Sequence, residues 1–262
     1  MRKSIYQNLT KKEIRQWEQK KKREWERNAD FWIKIIRENL DPFRLVVTNK
    51  AILESLKGEK NLRILDAGCG EGYLCRSLAK LSHRVFGIDF CSKLIEAAED
   101  LERKKPFGIK YFVGDLRKIC FPSSFFDLIL SHQTINEIEN PKKAFKEFSR
   151  ILKKGGKLLC LFLHPCFEIN FQKIKNIPFS IVYFQKTKIK KEYYLVSGIK
   201  SPSSYFYLHL PLSEWIEILT KNGFLIRKIR EPHPSLKILK MDKWWRKNFK
   251  KPLFILIEAI KV

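Results

Sequence analysis

The sequence predicts a doubly wound α/β fold with a mostly parallel sheet, and three observations predict it. First, short apolar runs bounded by turn residues recur from residue 62 onward, with helical patterns between them. Strands spaced by helices need right-handed crossovers, which give a parallel sheet covered on both faces. Second, Ile64-Leu65 and Leu128-Ile129-Leu130 are continuously apolar, as strands buried on both sides are. Third, the first run ends on an acid and a glycine-rich turn, where open sheets of this kind bind their ligands.

The elements follow in order. Residues 10–39 carry Ile14, Trp17, Trp25, Trp32 and Ile36 at helical spacings with few breakers, so they read as one amphipathic helix. Asp41-Pro42 ends it, because the residue before proline is pushed out of the helical region. A second helix over 43–57 stops at Gly58. Together these form an N-terminal helical cap, residues 1–58, on a domain spanning 59–262. Strands are predicted at 62–66, 84–89, 109–113, 126–131 and 157–163, and helices at 72–81, 92–104 and 141–153. Residues 165–210 break the rhythm, being rich in Phe, Tyr, Lys and Ser with prolines at 165, 178 and 202. They read as an inserted aromatic lid in which 181–184 and 193–196 pair as a hairpin. Residues 211–221 form a helix that ends at Asn222-Gly223, and 224–230 and 253–260 complete the chain as two strands.

Composition narrows the function classes. No apolar run reaches the roughly 18–20 residues of a membrane span, and the N-terminus lacks the apolar stretch of a secretory signal, so a cytoplasmic location is the expectation. The six cysteines form no CxxC pair; buried small hydrophobes in a reducing compartment are expected, with no metal site and no disulfide framework. The formal charge is +25, yet residues 61–165 hold 18 basic and 12 acidic side chains, so most of the excess lies in the flanks. Those flanks fit attraction to a polyanion such as RNA or to an acidic lipid surface. They also fit lysines spread over solvated faces, which their alternation with apolar residues favours.

The glycine turn is more specific. Gly68 and Gly70 let the chain turn sharply and approach a ligand without a Cβ in the way, and the helix that follows directs unpaired N–H groups at the crevice. A dinucleotide turn spaces its glycines G-x-G-x-x-G. Here the third such position is Tyr73, and the glycines fall at 68, 70 and 72. Asp66 would add negative charge beside a pyrophosphate, whereas it suits an ammonium or sulfonium. That argues for S-adenosylmethionine over a nicotinamide dinucleotide. Asp89, closing the next apolar run, can hold a ribose diol.

The stretch Ile-Leu-Asp-Ala-Gly-Cys-Gly-Glu-Gly-Tyr-Leu resembles the first motif of the class I, Rossmann-like S-adenosylmethionine-dependent methyltransferases. Val-Phe-Gly-Ile-Asp-Phe-Cys at 85–91, Tyr-Phe-Val-Gly-Asp-Leu at 111–116, Phe-Asp-Leu-Ile-Leu-Ser-His at 126–132 and Ile-Leu-Lys-Lys-Gly-Gly-Lys-Leu at 151–158 extend the resemblance in register. It implies a seven-stranded sheet whose last strand is antiparallel and inserted between its neighbours. It implies that Gly68, Cys69 and Gly70 line the methionine part of the cofactor, with Asp66 near its amino group. Asp89 would take the ribose hydroxyls, Phe90 would lie against the adenine, Asp115 would receive the adenine amino group, and Leu116 would be its wall. Ser131 and His132 would stand where cofactor meets acceptor.

The acceptor is less legible. The aromatic cap and lid fit an apolar or aromatic substrate, and equally a packed core of the cap; the His-Pro-Cys-Phe stretch from His164 and the later Leu-Pro-Leu-Ser-Glu-Trp and Gly-Phe resemble members that methylate small molecules. His164, at the end of the fifth strand, is the expected general base or acceptor-orienting group, with His209 and His233 behind it. An RNA or other nucleic-acid acceptor would use the basic flanks, but Ser-His-Gln-Thr stands where base-methylating relatives carry an Asn-Pro-Pro-Tyr-like tetrapeptide. A non-catalytic cofactor-binding subunit of a complex is the third reading. The oligomeric state is not legible.

Overall fold

The computed structural model describes residues 11–168 and 183–262, and the side chains of 11–17, 167 and 168 fall outside that description. The chain begins with α1 (Lys11–Arg37), a π-helical segment (Arg44–Thr48) and α2 (Asn49–Ser55). The alternating part follows: β1 (Arg63–Ala67), α3 (Tyr73–Ala79), β2 (Arg84–Asp89), α4 (Ser92–Lys104), β3 (Lys110–Val113), β4 (Phe126–His132), α5 (Pro141–Ile151) and β5 (Leu152–Leu163). After α6 (Pro165–Glu168) come β6 (Thr187–Lys191), β7 (Leu195–Val196), β8 (Ile199–Lys200) and β9 (Tyr205–His209). The chain then runs through α7 (Leu212–Lys221), β10 (Phe224–Arg230), α8 (Leu236–Met241), α9 (Lys243–Asn248) and β11 (Phe254–Lys261).

Seven strands form one sheet in the order β10-β11-β5-β4-β1-β2-β3. Strands β1 to β5 pair in parallel, and β11 runs antiparallel between β5 and β10. The expected antiparallel last strand, inserted between its neighbours, is present. Because side chains alternate along a strand, the core divides into two layers. Leu65, Phe86, Ile129 and Phe162 pack with Phe145, Phe148 and Trp215 of α5 and α7. Ile64, Val85, Leu128 and Leu161 pack with Leu78, Ile95 and Ile52 of α3, α4 and α2. Central-strand residues such as Ile64, Leu65, Leu128 and Ile129 have no exposed surface, which is why their runs are apolar without alternation.

Two expectations are corrected. The second helix runs over 42–55 and not to 57, and it contains a π-helical turn at Arg44–Thr48 before continuing as α-helix from Asn49, with the Arg44 N–H donating to Asp41 Oδ1 at 3.2 Å. Nor do Tyr183 and Phe184, the described part of 181–184, pair with 193–196. Residues 181 and 182 lie outside the described part, and Tyr183 and Phe184 precede the first strand of the insertion. The hairpin that forms is β6 with β9, Thr187 opposite His209. Leu195-Val196 instead pairs with Ile199-Lys200 across Ser197-Gly198. Both turn residues have positive φ, 46° and 81°, the backbone of a tight two-residue turn. That local turn captures the short strand before a distant partner can.

Helix α1 is tied to the sheet domain by charge and aromatic contacts. Arg37 Nε and Arg76 Nη2 both reach the buried Glu71, at 3.2 and 2.6 Å. Glu26 caps the start of α4, accepting from the Ser92 N–H at 2.9 Å. The connection after β10 folds into α8 and α9, which seat Ile238, Leu239, Trp245 and Phe249 on the second core layer.

Candidate functional site

The carboxyl ends of β1 and β2 are held together by backbone. The N–H groups of Gly68 and Cys69 both donate to the Ile88 carbonyl, at 2.8 and 3.1 Å. The Gly70 N–H donates to Asp89 Oδ2 and the Cys91 N–H to Asp89 Oδ1, each at 3.0 Å. Two glycines are required here for different reasons. Gly68 has φ +86°, and a Cβ on it would overlap the Thr134 side chain. Gly70 has φ +54°, and a Cβ there would meet nothing within 4 Å, so bare backbone faces open space.

Asp66 and Asp89 are both buried. Asp66 Oδ2 accepts the Cys75 thiol at 3.3 Å, and the carboxyl has no ion-pair partner among the described residues. Burial pushes it up to about 7, with a further push from the charge of Asp89. Burial also raises Asp89, while its backbone hydrogen bonds oppose the shift. A buried carboxylate lacking a cation, beside bare backbone, is complementary to a cationic ligand. An acid fixed by two N–H groups keeps lone pairs for a pair of hydroxyls.

These groups line one end of a cavity of about 940 Å³, large enough for a nucleoside cofactor and a second molecule. Asp66, Gly68, Cys69, Gly70, Asp89, Phe90, Asp115 and Leu116 are all in its wall. The charge and hydroxyl complementarity of Asp66 and Asp89, with the open backbone at Gly70, fits S-adenosylmethionine. Asp115 also has a structural task. It accepts the Arg117 N–H at 2.8 Å and the Arg117 guanidinium at 2.9 Å, and Arg117 pairs with Glu18 of α1.

The same wall carries aromatic side chains, the expected His132, and polar groups that sequence reasoning missed, among them Glu137 and the Tyr73 hydroxyl. Trp32, Phe43, Tyr73, Tyr194, Tyr205 and Trp244 line the cavity together with His132 and Glu137. The Tyr73 hydroxyl donates to Asn49 Oδ1 at 3.2 Å and contacts His132 Nδ1 at 3.0 Å. A phenol has one proton, so with that proton on Asn49 the histidine contact is a bond donated by Nδ1–H. The imidazole then carries its lone pair on Nε2, which is buried without a hydrogen-bond partner. Burial, with the Arg44 guanidinium, lowers the His132 pKa to about 4, so the ring is neutral near pH 7. Arg44 lies 4.6 Å from the centre of the Tyr73 ring.

Glu137 accepts from Trp25 Nε1 at 2.8 Å and from the Tyr194 hydroxyl at 3.2 Å, and Lys21 stands 4.0 Å away. Burial raises the carboxyl and lowers the ammonium, each partly offset by the other. Two signals could have found this pair: an acid just past the fourth strand of a basic chain, and a lysine four residues before Trp25 on one helical face.

Two expected site residues do not line the cavity. Ser131 has no exposed surface, and strand alternation puts its side chain on the face opposite His132. His164 is the clearer correction. Leu163 lines the cavity, so the next residue along the strand turns away from it. The His164 ring is used elsewhere: Nδ1 accepts the Cys166 N–H at 3.1 Å and Nε2 lies 3.2 Å from Glu231. His209 is bonded to the Tyr183 carbonyl at 3.0 Å and His233 to the Pro234 carbonyl at 2.8 Å, and neither lines the cavity.

The profile of a family described as "Methyltransferase domain" matches residues 65–160, the stretch that carries the glycine turn, Asp66, Asp89 and His132. The chain is 26% identical over 228 residues to the "Ubiquinone biosynthesis O-methyltransferase" of Pelagibacter ubique, covering 85% of this chain and 87% of that protein. It is 28% identical over 186 residues to the "Demethylmenaquinone methyltransferase" of Chlorobaculum tepidum, covering 70% and 71%. Among solved structures, an S-adenosylmethionine-dependent methyltransferase from Mesorhizobium loti superposes with a TM-score of 0.63 at 20% identity, covering 81% of this chain and 96% of that one. That last likeness is one of fold.

Proposed function

The chain belongs to the class I S-adenosylmethionine-dependent methyltransferases, and we propose that its acceptor is a small apolar ring compound bearing a hydroxyl, of the quinone-precursor class. The observation that carries this reading is a single cavity whose wall holds the glycine loop, several aromatic side chains and a neutral imidazole. Aromatic walls favour a flat ring, and two relatives bear names that refer to quinone synthesis.

When bound, the cofactor supplies an electrophilic methyl group on a sulfonium. Asp66 would face its cationic part, Asp89 its ribose hydroxyls, and Phe90, Asp115 and Leu116 its base. The remaining work falls to the chain's own residues: alignment, and exclusion of water. His132 Nε2 accepts a hydrogen bond from the acceptor hydroxyl, which orients the oxygen and weakens its O–H bond. Tyr73 and Asn49 keep that lone pair on Nε2. Glu137 stands in the same wall, held by Trp25 and Tyr194.

Labelled cofactor, supplied with catechol- or quinol-ring acceptors and separately with RNA and protein fractions, tests the reading. Label in the ring product supports it. Label only in RNA or protein, or cofactor binding with no transfer to any fraction, overturns it. His132→Ala is expected to lower kcat by about a hundredfold, and Tyr73→Phe to lower it by less. An unchanged rate in His132→Ala removes His132 from the mechanism.

A further inference from the structure

The segment between β10 and β11 has two faces. Ile238, Leu239, Trp245 and Phe249 anchor it on the core. Outward it turns Leu236, 67% exposed, Met241, 73% exposed, and Trp244, 45% exposed. Residues 234–252 contain seven Lys and Arg against the single acid Asp242. Among the described residues, Lys237, Lys240, Lys243, Lys247 and Lys250 form no ion pair. The same segment borders the cavity: Trp244 and Asn248 line it, as does Leu195, itself 60% exposed.

We propose that α8 and α9 form a docking surface for an anionic lipid bilayer, seated at the mouth of the acceptor cavity. Three large exposed apolar side chains on a lysine-rich segment have the composition of an interfacial membrane contact. The aliphatic chains enter the acyl boundary, the tryptophan sits at headgroup depth, and the lysines meet acidic headgroups. Nucleic acid fits less well, because Leu236 and Met241 offer no ring on which a base could stack. No helix among the described residues is long and apolar enough to cross a membrane, so the contact is a surface one. The docked cavity mouth would face the lipid, from which an apolar ring compound could enter without crossing water. That last step rests on the acceptor reading above; the docking itself does not.

Flotation of the full chain with vesicles tests it, with no cofactor or acceptor present. The expected result is binding to phosphatidylglycerol-containing vesicles, weakened by salt, with little binding to pure phosphatidylcholine. Lys237→Glu, Lys240→Glu and Lys243→Glu combined should lower the partition coefficient at least a hundredfold, given about fivefold per lysine lost. Leu236→Ser with Met241→Ser should lower it about tenfold at unchanged charge. Calorimetric titration with S-adenosylmethionine verifies that both variants are folded. Equal binding to both vesicle types, no effect of the Leu236 and Met241 substitutions, or displacement of vesicles by RNA would each overturn the proposal. A chain that floats as expected but methylates only water-soluble acceptors leaves the surface standing and removes the acceptor reading instead.

Discussion

The backbone N–H of Gly70 donates to the carboxylate of Asp89 at 3.0 Å. One hydrogen bond thus joins the turn after the first strand to the acid that closes the second. Asp89→Ala removes a charged hydrogen-bonding group and the tether of the glycine turn together. S-adenosylmethionine binding is expected to weaken by about 1–3 kcal/mol. Titration calorimetry measures it, and an unchanged affinity counts against a ribose contact.

Asp66 gives a pH signature with two readouts. Its carboxyl is raised to about 7 in the folded chain, so the free protein favours the protonated form. The stability from this group is complete in acid below the ordinary carboxylate range and is lost as pH rises through about 7. A cationic ligand prefers the carboxylate, so its affinity should climb over the same window and level off above it. Thermal melts and calorimetry between pH 5 and 8.5 should move in opposite directions, and Asp66→Asn should flatten both.

Gly68 and Gly70 should fail differently. Gly68→Ala adds a methyl at φ +86° that overlaps Thr134, and is expected to cost about 1–3 kcal/mol of stability. Gly70→Ala meets no neighbour, so its stability cost is the left-handed backbone alone, about 1–2 kcal/mol. Its methyl enters the cavity, and cofactor affinity falls. Denaturant melts combined with ligand titration separate the two outcomes.

Glu26 of α1 serves α4 as a cap supplied from another helix. Burial would raise its carboxyl, but hydrogen bonds from Ser92, Cys91 and Lys93 hold it below the usual carboxylate range. Its contribution is therefore present at neutral pH and lost as pH falls through that lowered value. Glu26→Ala should cost about 1 kcal/mol and loosen α1 over the cavity, read as faster hydrogen exchange in α1 and at the start of α4.

The sheet was legible because its signals are local. Ile64-Leu65 and Leu128-Ile129-Leu130 announce burial on both faces, and Gly223, at φ +79°, ends α7 where a helix-stop glycine should. The cofactor end was legible for the same reason, since Asp66, Gly68, Gly70 and Asp89 lie within two short motifs. The surroundings of His132 were not. Tyr73, Arg44 and Asn49 come from two other segments and meet His132 only through the fold. His164 misled because its neighbours in sequence suggested a site, while strand alternation gave the cavity Leu163. The hairpin of the insertion was misjudged because Ser197-Gly198 turns the chain just after Leu195-Val196 and pairs it with the strand that follows, not with one that precedes it.

The place of β11 carries a consequence for how the protein is made. A ribosome that has delivered β10 has produced a strand whose neighbour in the finished sheet does not yet exist. From then until β11 emerges, β5 stands with one side bare and β10 has nothing to pair with. Translation through the lysine-rich α8 and α9 fills that interval.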